Sequence, residues 1–222
     1  MTIDKECTKM QYKIIERGLG LVVLGDFNPA TISINAMVEN GIIREEEVRN
    51  SQQQQLSDTV SECNVVNIRI GCDKSRVQMA TVDIVAKERL SGLCCDILRW
   101  QSPVNIQGVG VNPHLRLSFE KPEDHDAFTR ALLPSTDNWQ KYYDGAYTST
   151  FQIIKKHVDN SDEFESMIVR LTGVNNNLPV YTIDMNVHHI LSTLGDTLDV
   201  CADSPAVYED RVQKFETFLS AL

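Results

Sequence analysis

The chain lacks the features that would name a chemistry at first reading. It has no long apolar run: Leu19 to Leu24, interrupted by Gly20, is the longest, far below the roughly 20 residues that cross a bilayer. Its first residues, Met1 to Lys9, carry charges where a signal peptide needs an apolar centre, so export by that route is not expected and a cytoplasmic protein is. Six cysteines (Cys7, Cys63, Cys72, Cys94, Cys95 and Cys201) are scattered with no CxxC pair and no matched half-sites. They read as reduced, mostly buried thiols rather than a disulfide framework or a zinc ribbon. Basic residues are in deficit, with 21 Lys and Arg against 31 Asp and Glu for a net charge of −10. Such a surface repels phosphate on average, which argues against general nucleic-acid binding while leaving room for a local basic patch.

Catalytic signatures are missing as well. Gly18, Gly20 and Gly25 do not form GxGxxG, and neither GxxxxGK[ST] nor GxSxG occurs. His188 and His189 are adjacent and leave a strand on opposite faces. Asp184 and His188, four residues apart, lie about 13 Å apart along one face, too far to share an ion. Cys94 falls within an apolar helical stripe with Cys95 beside it, and burial raises a thiol's pKa and suppresses nucleophilic use. Acidic pairs such as Asp159 and Asp162, or Glu123, Asp124 and Asp126, sit in loops or first helical turns, where they suit the helix dipole. No catalytic residue, metal ligand or cofactor site is therefore expected.

What is present is an ordinary globular composition, 42% hydrophobic and 23% charged over 222 residues, enough for one large domain or two small ones. Tyr12 to Phe27 reads as an inner strand with apolar residues on both faces. Asn28 and Pro29 read as the start of a short helix carrying Ile32, Met37 and Val38. Gly41 after Asn40 predicts a Schellman stop in which Ile42 folds back on Met37. Arg44 to Ser61, rich in Glu and Gln, reads as a polar connector, partly helical. Val65 to Ile70 and Val77 to Val82 predict a hairpin. Thr81 or Asp83 then caps a long helix with Leu90, Leu93, Cys94, Ile97 and Leu98 on one side. Val104 to Phe119 predicts a long or bent strand, and Pro122 opens a helix carrying Phe128, Leu132 and Leu133. Three strands follow: Tyr147 to Val158, Phe164 to Val174, and Val180 to His188. In the last, Tyr181, Ile183, Met185 and Val187 alternate with Thr182, Asp184, Asn186 and His188, so one face is wet. Ser204 and Pro205 open a terminal helix. The expected fold is α+β, a mainly antiparallel sheet of about seven strands with helices on one face. It spans residues 1–222 as a single domain. A likeness between the halves, each ending its strands with a helix, admits two similar lobes divided near residues 134–146.

Two places stand out as binding candidates. Asp26 and Asn28 lie at a strand-to-helix junction, where backbone donors can meet a ligand, although capping is the plainer role of Asn28. Trp139, Tyr142, Tyr143 and Tyr147 cluster in a loop, and such aromatics are frequent in binding hot spots; their plainer role is to plug the seam between sheet and helix.

The stretch from Val22 to Glu47, VVLGDFNPATISINAMVENGIIREEE, resembles the opening of a group of uncharacterised bacterial proteins that share a strand, a GDFNP turn, a short helix and an acidic tail. The later order of hairpin, long helix, strand and closing hairpin with helix is similar to theirs. The resemblance implies a bacterial or phage origin and brings no activity with it. The leading expectation is a non-enzymatic module that binds a partner protein, or a second copy of itself as an oligomer, through a sheet edge or the aromatic loop. The acidic surface favours a basic partner. The alternatives are a small-ligand sensor, its pocket between the sheet and the long helix with Asn28 at the mouth, and a hydrolase with an unrecognised site.

Overall fold

A computed structural model of the protein describes residues 10–132, 149–156 and 163–221. Among the described residues nine antiparallel strands form one sheet, with five α-helices. The class is α+β as expected, with two strands more than the seven anticipated. In chain order the elements are β1 (Tyr12–Asp26), α1 (Ile34–Glu39), α2 (Glu45–Val48), β2 (Gln52–Leu56), β3 (Val60–Val65), β4 (Ile68–Asp73) and β5 (Arg76–Thr81). There follow α3 (Lys87–Gln101), β6 (Val104–Phe119), α4 (Pro122–Leu132), β7 (Thr150–Lys156), β8 (Glu163–Asn175), β9 (Leu178–His189) and α5 (Leu194–Ser220).

The sheet order is β2-β3-β4-β5-β1-β6-β9-β8-β7. Read outward from the central β1 and β6, the two sides match. Each long strand is flanked by the third, second and first strands of a meander, and each meander ends in a long helix, α3 or α5. The two halves differ at their margins, since the first carries β2 as an additional outer strand.

Strand parity decides which face is buried. Leu19, Leu21 and Val23 of β1, Val109, Val111, Leu115 and Leu117 of β6, and Ile183, Met185 and Val187 of β9 are buried on one face, under α3, α5 and α4. The stripe Leu90, Leu93, Cys94, Ile97 and Leu98 of α3 is buried as its spacing requires. In α4, Phe128 is fully enclosed, its ring centroid 5.1 Å from Phe119 and 5.0 Å from Tyr181. Burial of one such ring contributes about 1.5–3 kcal/mol. Among the described residues no helix is long and apolar enough to cross a membrane.

Several local expectations are corrected. Asn28 does not cap a helix: Pro29–Thr31 is a single 3-10 turn, and Asn28 makes no side-chain cap bond. The cap of α1 is Ser33, whose Oγ accepts from Ala36 N at 3.2 Å. The helix stop forms as read, with Gly41 at φ +68°, Gly41 N donating to Val38 O and Ile42 N to Met37 O. The supposed connector holds α2, β2 and the start of β3, β2 and β3 being the two strands beyond the seven, while the expected hairpin forms as β4 and β5, its first strand lying about three residues later than read. The terminal helix begins ten residues earlier than Ser204, capped by Thr193, whose Oγ1 accepts from Asp196 N at 3.1 Å, so Pro205 lies inside it.

A proline within a helix withholds the N–H that residue i−4 needs. Here the deprived carbonyl is that of Cys201. It accepts instead from Ser91 Oγ of α3 at 2.8 Å and from Ser204 Oγ at 2.7 Å, both serines being buried. The break in one helix thus becomes a bond between the two helices. Beside it, Cys94 Sγ lies 3.8 Å from Cys201 Sγ.

Candidate interaction site

A sheet of nine strands has two margins, and they are built differently. At β2 the register to β3 shifts between Gln53 and Gln55. The Gln53 side chain accepts from Ile34 N at 3.1 Å and donates to Gln55 O at 2.6 Å and Glu62 O at 3.0 Å. A bulge and a side chain spent on neighbouring backbone both blunt an edge against further pairing.

At the other margin β7 pairs with β8 over seven residues, Thr150↔Arg170 through Lys156↔Phe164, with no shift. Leu171 N donates to Ser149 O at 2.8 Å, which fixes the phase of the ladder. Backbone groups of Phe151, Ile153 and Lys155 face β8, and those of Thr150, Gln152, Ile154 and Lys156 face away from the sheet. Among the described residues β7 is the last strand on this side. Its two isoleucines are exposed, Ile153 at 43% and Ile154 at 59%.

Parity places Ile153 on the helix side and Ile154 on the open side. Ile153 forms one wall of a groove of about 360 Å³ running between β7–β9 and α5, with Leu132, Met167, Met185, Phe215 and Phe218 as its other main apolar residues. Phe218 is itself 43% exposed. The charged groups lining the groove are cations with one carboxylate among them, Lys155, Arg211 and Lys214 with Glu165, and Ser166 and Asn186 are its neutral polar residues. Glu165 Oε1 lies 2.8 Å from Arg211 Nη2 and 3.7 Å from Lys155 Nζ, while Asp210 Oδ2 holds Lys214 Nζ at 2.8 Å and Arg211 Nη1 at 2.9 Å.

The sheet's open face carries a different arrangement. Across β1, β6, β9 and β8 run Glu16, His114, Asp184 and Arg170. His114 Nε2 lies 3.1 Å from Glu16 Oε1 and Nδ1 lies 2.7 Å from Asp184 Oδ1, with Arg170 Nη2 bonded to Asp184 Oδ2 and Arg116 Nη1 3.4 Å from Glu16 Oε2. The hydrogen bond to Asp184, helped by Glu16 and opposed by burial, raises the His114 pKa. Burial works to raise Asp184, but the His114 and Arg170 hydrogen bonds prevail and hold it below the usual carboxylate range. The ring lies over Gly18, where a Cβ would stand 3.6 Å from it and only 2.9 Å from Thr81 O. Carboxylates and cations alternate and satisfy one another, an arrangement suited to joining four strands rather than to acting on a substrate.

The sequence candidates fall elsewhere. Asp26 is exposed at the end of β1 and accepts from Asn105 Nδ2 at 2.6 Å. Asn28 is exposed, its carbonyl accepting from Thr31 Oγ1 at 2.8 Å. Neither lines the groove, and the groove lies under α5 rather than α3. Trp139, Tyr142, Tyr143 and Tyr147 lie outside the described residues. His188 packs against Phe164 at 4.7 Å, and burial together with His189 lowers its pKa. Burial pushes the thiols of Cys63 and Cys72 up to about 12 and that of Cys95 to about 11. Among the described residues no three His, Cys, Asp or Glu side chains converge as a metal site.

The groove residues were not foreseen as a site. The signal available was Ile153 and Ile154, apolar residues on both faces of a strand that then turns to lysine, and Phe218, beside Phe215 at the margin of the apolar stripe of α5. Compared with models of protein families and with curated proteins, the chain matches none.

Proposed function

We propose that this protein is a non-enzymatic interaction module that receives an extended segment of a partner polypeptide along β7. The observation that carries the reading is the contrast between the margins: β2 is bulged and self-bonded, whereas β7 is regular, offers alternate N–H and C=O groups outward, and exposes two isoleucines. Strand addition draws affinity from main-chain bonds and selectivity from pockets for alternate side chains. The groove beside Ile153 is such a pocket, reachable from β7. The first half of the fold supplies an internal precedent, since β2 lies on β3 in the position that corresponds to the outer side of β7.

The test uses linear peptides displayed on phage and panned on the immobilised full-length protein. Ile154→Pro removes an outward N–H that no ladder bond to β8 requires, so the fold tolerates it. Peptides with apolar residues at alternate positions should be enriched, and their binding should fall at least tenfold on Ile154→Pro with the melting midpoint little changed. No enrichment, or binding indifferent to Ile154→Pro, refutes the reading. A small apolar ligand held in the groove would be one case of such indifference.

A further inference from the structure

The net charge of −10 favours a basic partner for the protein as a whole, but the groove is of the opposite sign. Three cations, Lys155, Arg211 and Lys214, stand at it against the single carboxylate Glu165. Arg211 is committed to Glu165 and Asp210 and is largely buried. Lys155 and Lys214 are not so held. Their side chains are 65% and 64% exposed, and each meets one carboxylate, at 3.7 Å and 2.8 Å. They rise from opposite walls, Lys155 from β7 and Lys214 from α5, with the apolar floor between them. Lys156 continues the strand, so β7 ends in two lysines.

We infer that the segment taken up at β7 is apolar and acidic, with alternate apolar side chains entering the groove and carboxylates beside them meeting Lys155 and Lys214. The inference rests on the strand-addition reading and specifies its partner. A carboxylate placed between two solvated lysines forms charge-assisted hydrogen bonds that a neutral or basic segment cannot form. Like charge there is repulsive and selects against basic segments. Met167 and Met185 in the floor adapt to different apolar side chains, so the charges rather than the shape of the pocket set the preference. The distant acidic surface acts through water and salt and is screened beyond about 10 Å.

The experiment compares two labelled peptides with Leu, Phe and Val at alternate positions, separated by Asp in one and by Lys in the other. Their binding is followed by fluorescence anisotropy. The Asp peptide should bind the wild-type protein at least tenfold more tightly at about 0.1 M salt, where the distant acidic surface is screened, and the ratio should shrink at about 0.5 M salt. In the double variant Lys155→Glu, Lys214→Glu the ratio should fall to one or reverse. Equal binding of the two peptides, or preference for the Lys peptide, with both sensitive to Ile154→Pro, overturns the acidic preference and leaves strand addition standing. Failure of both peptides, or insensitivity to Ile154→Pro, overturns strand addition and this inference with it. The wild-type comparison needs no variant, so a poorly folding double variant does not protect the inference.

Discussion

The bond between α3 and α5 at Cys201 allows a quantitative test of how the long terminal helix tolerates Pro205. The Cys201 carbonyl has two acceptor sites and two hydroxyl donors, Ser91 and Ser204, at 2.8 and 2.7 Å. Removing either by Ser91→Ala or Ser204→Ala leaves the other, so each single change is expected to cost about 1 kcal/mol, the net worth of one hydrogen bond. Removing both strands a buried carbonyl with no helical N–H to replace them, which adds a desolvation penalty of about 1–3 kcal/mol. The double variant should therefore lose roughly 3 kcal/mol or more, beyond the sum of the singles by about 1 kcal/mol. For a chain of this length that is a fall in the melting midpoint of about 6–12 °C. Urea unfolding of the four proteins in the cycle supplies the coupling energy directly. Adding Pro205→Ala to the double variant restores an N–H opposite Cys201 and should recover much of the loss. Strict additivity, or no recovery on Pro205→Ala, would show that the carbonyl is satisfied otherwise and refute the account.

Two further outcomes follow from titratable groups. His114 has its pKa raised in the folded state, so its contribution is complete below its unfolded value near 6.5 and is lost as pH rises through the folded pKa. Asp184, held low, contributes above its unfolded value near 3.9 and loses that contribution as pH falls through the folded pKa. The ladder therefore stabilises most between about pH 4 and 6.5. His114→Gln should flatten the decline in unfolding free energy as pH rises from about 6.5 through the folded pKa of His114. Parallel slopes for the two proteins in urea titrations would contradict the ladder's role. With thiol pKa values near 11 to 12 for Cys63, Cys72 and Cys95, only about one Cys63 or Cys72 in ten thousand is thiolate at pH 8. Burial also shields Cys94 and Cys201. At least five of the six cysteines should react with a disulfide reagent only after denaturation, and fast native-state reaction of two or more would contradict their placement.

Much of the frame was legible because it depends on period and punctuation. The bounds of β1, β6 and α4 lie where alternation and prolines put them, and the stop at Gly41 follows from one residue that accepts a positive φ. Parity buries Tyr181, Ile183, Met185 and Val187 and leaves Asp184, Asn186 and His188 half-buried on the other face, while Thr182 departs from it, buried beside Thr172. The misreadings share a cause, namely partners far away in sequence. The run of glutamines in β2 has little intrinsic preference for a strand, and it is held by Gln53 reaching Ile34 and Glu62. Pro205 looks like a helix start because a proline inside a helix lacks a bond, and nothing near it announces that Ser91, on another helix, makes up the loss. The groove is of the same kind. Each of Leu132, Ile153, Met167, Met185, Phe215 and Phe218 reads as core in its own element, and only the assembled sheet shows that together they line one groove.

The difference between the sheet's margins bears on why an exposed apolar edge persists in this chain. A flat edge with outward isoleucines invites unwanted pairing, and a bulge, an inward charge or a proline is enough to prevent it. The chain already uses one such device at β2, where the register slips by a residue and Gln53 binds its neighbours. On β7 the residues whose backbone faces outward are Thr150, Gln152, Ile154 and the terminal Lys156; the first three do not block a ladder, and Ile153 lies between two of them on the helix side. Lys156 ends the edge, and the other two lysines flank the groove: Lys155 faces the helix side and Lys214 stands across from it. Charge placed beside a pairing edge, and not across it, excludes some segments while admitting others. On the strand-addition proposal, that placement is what an edge kept for a particular occupant requires.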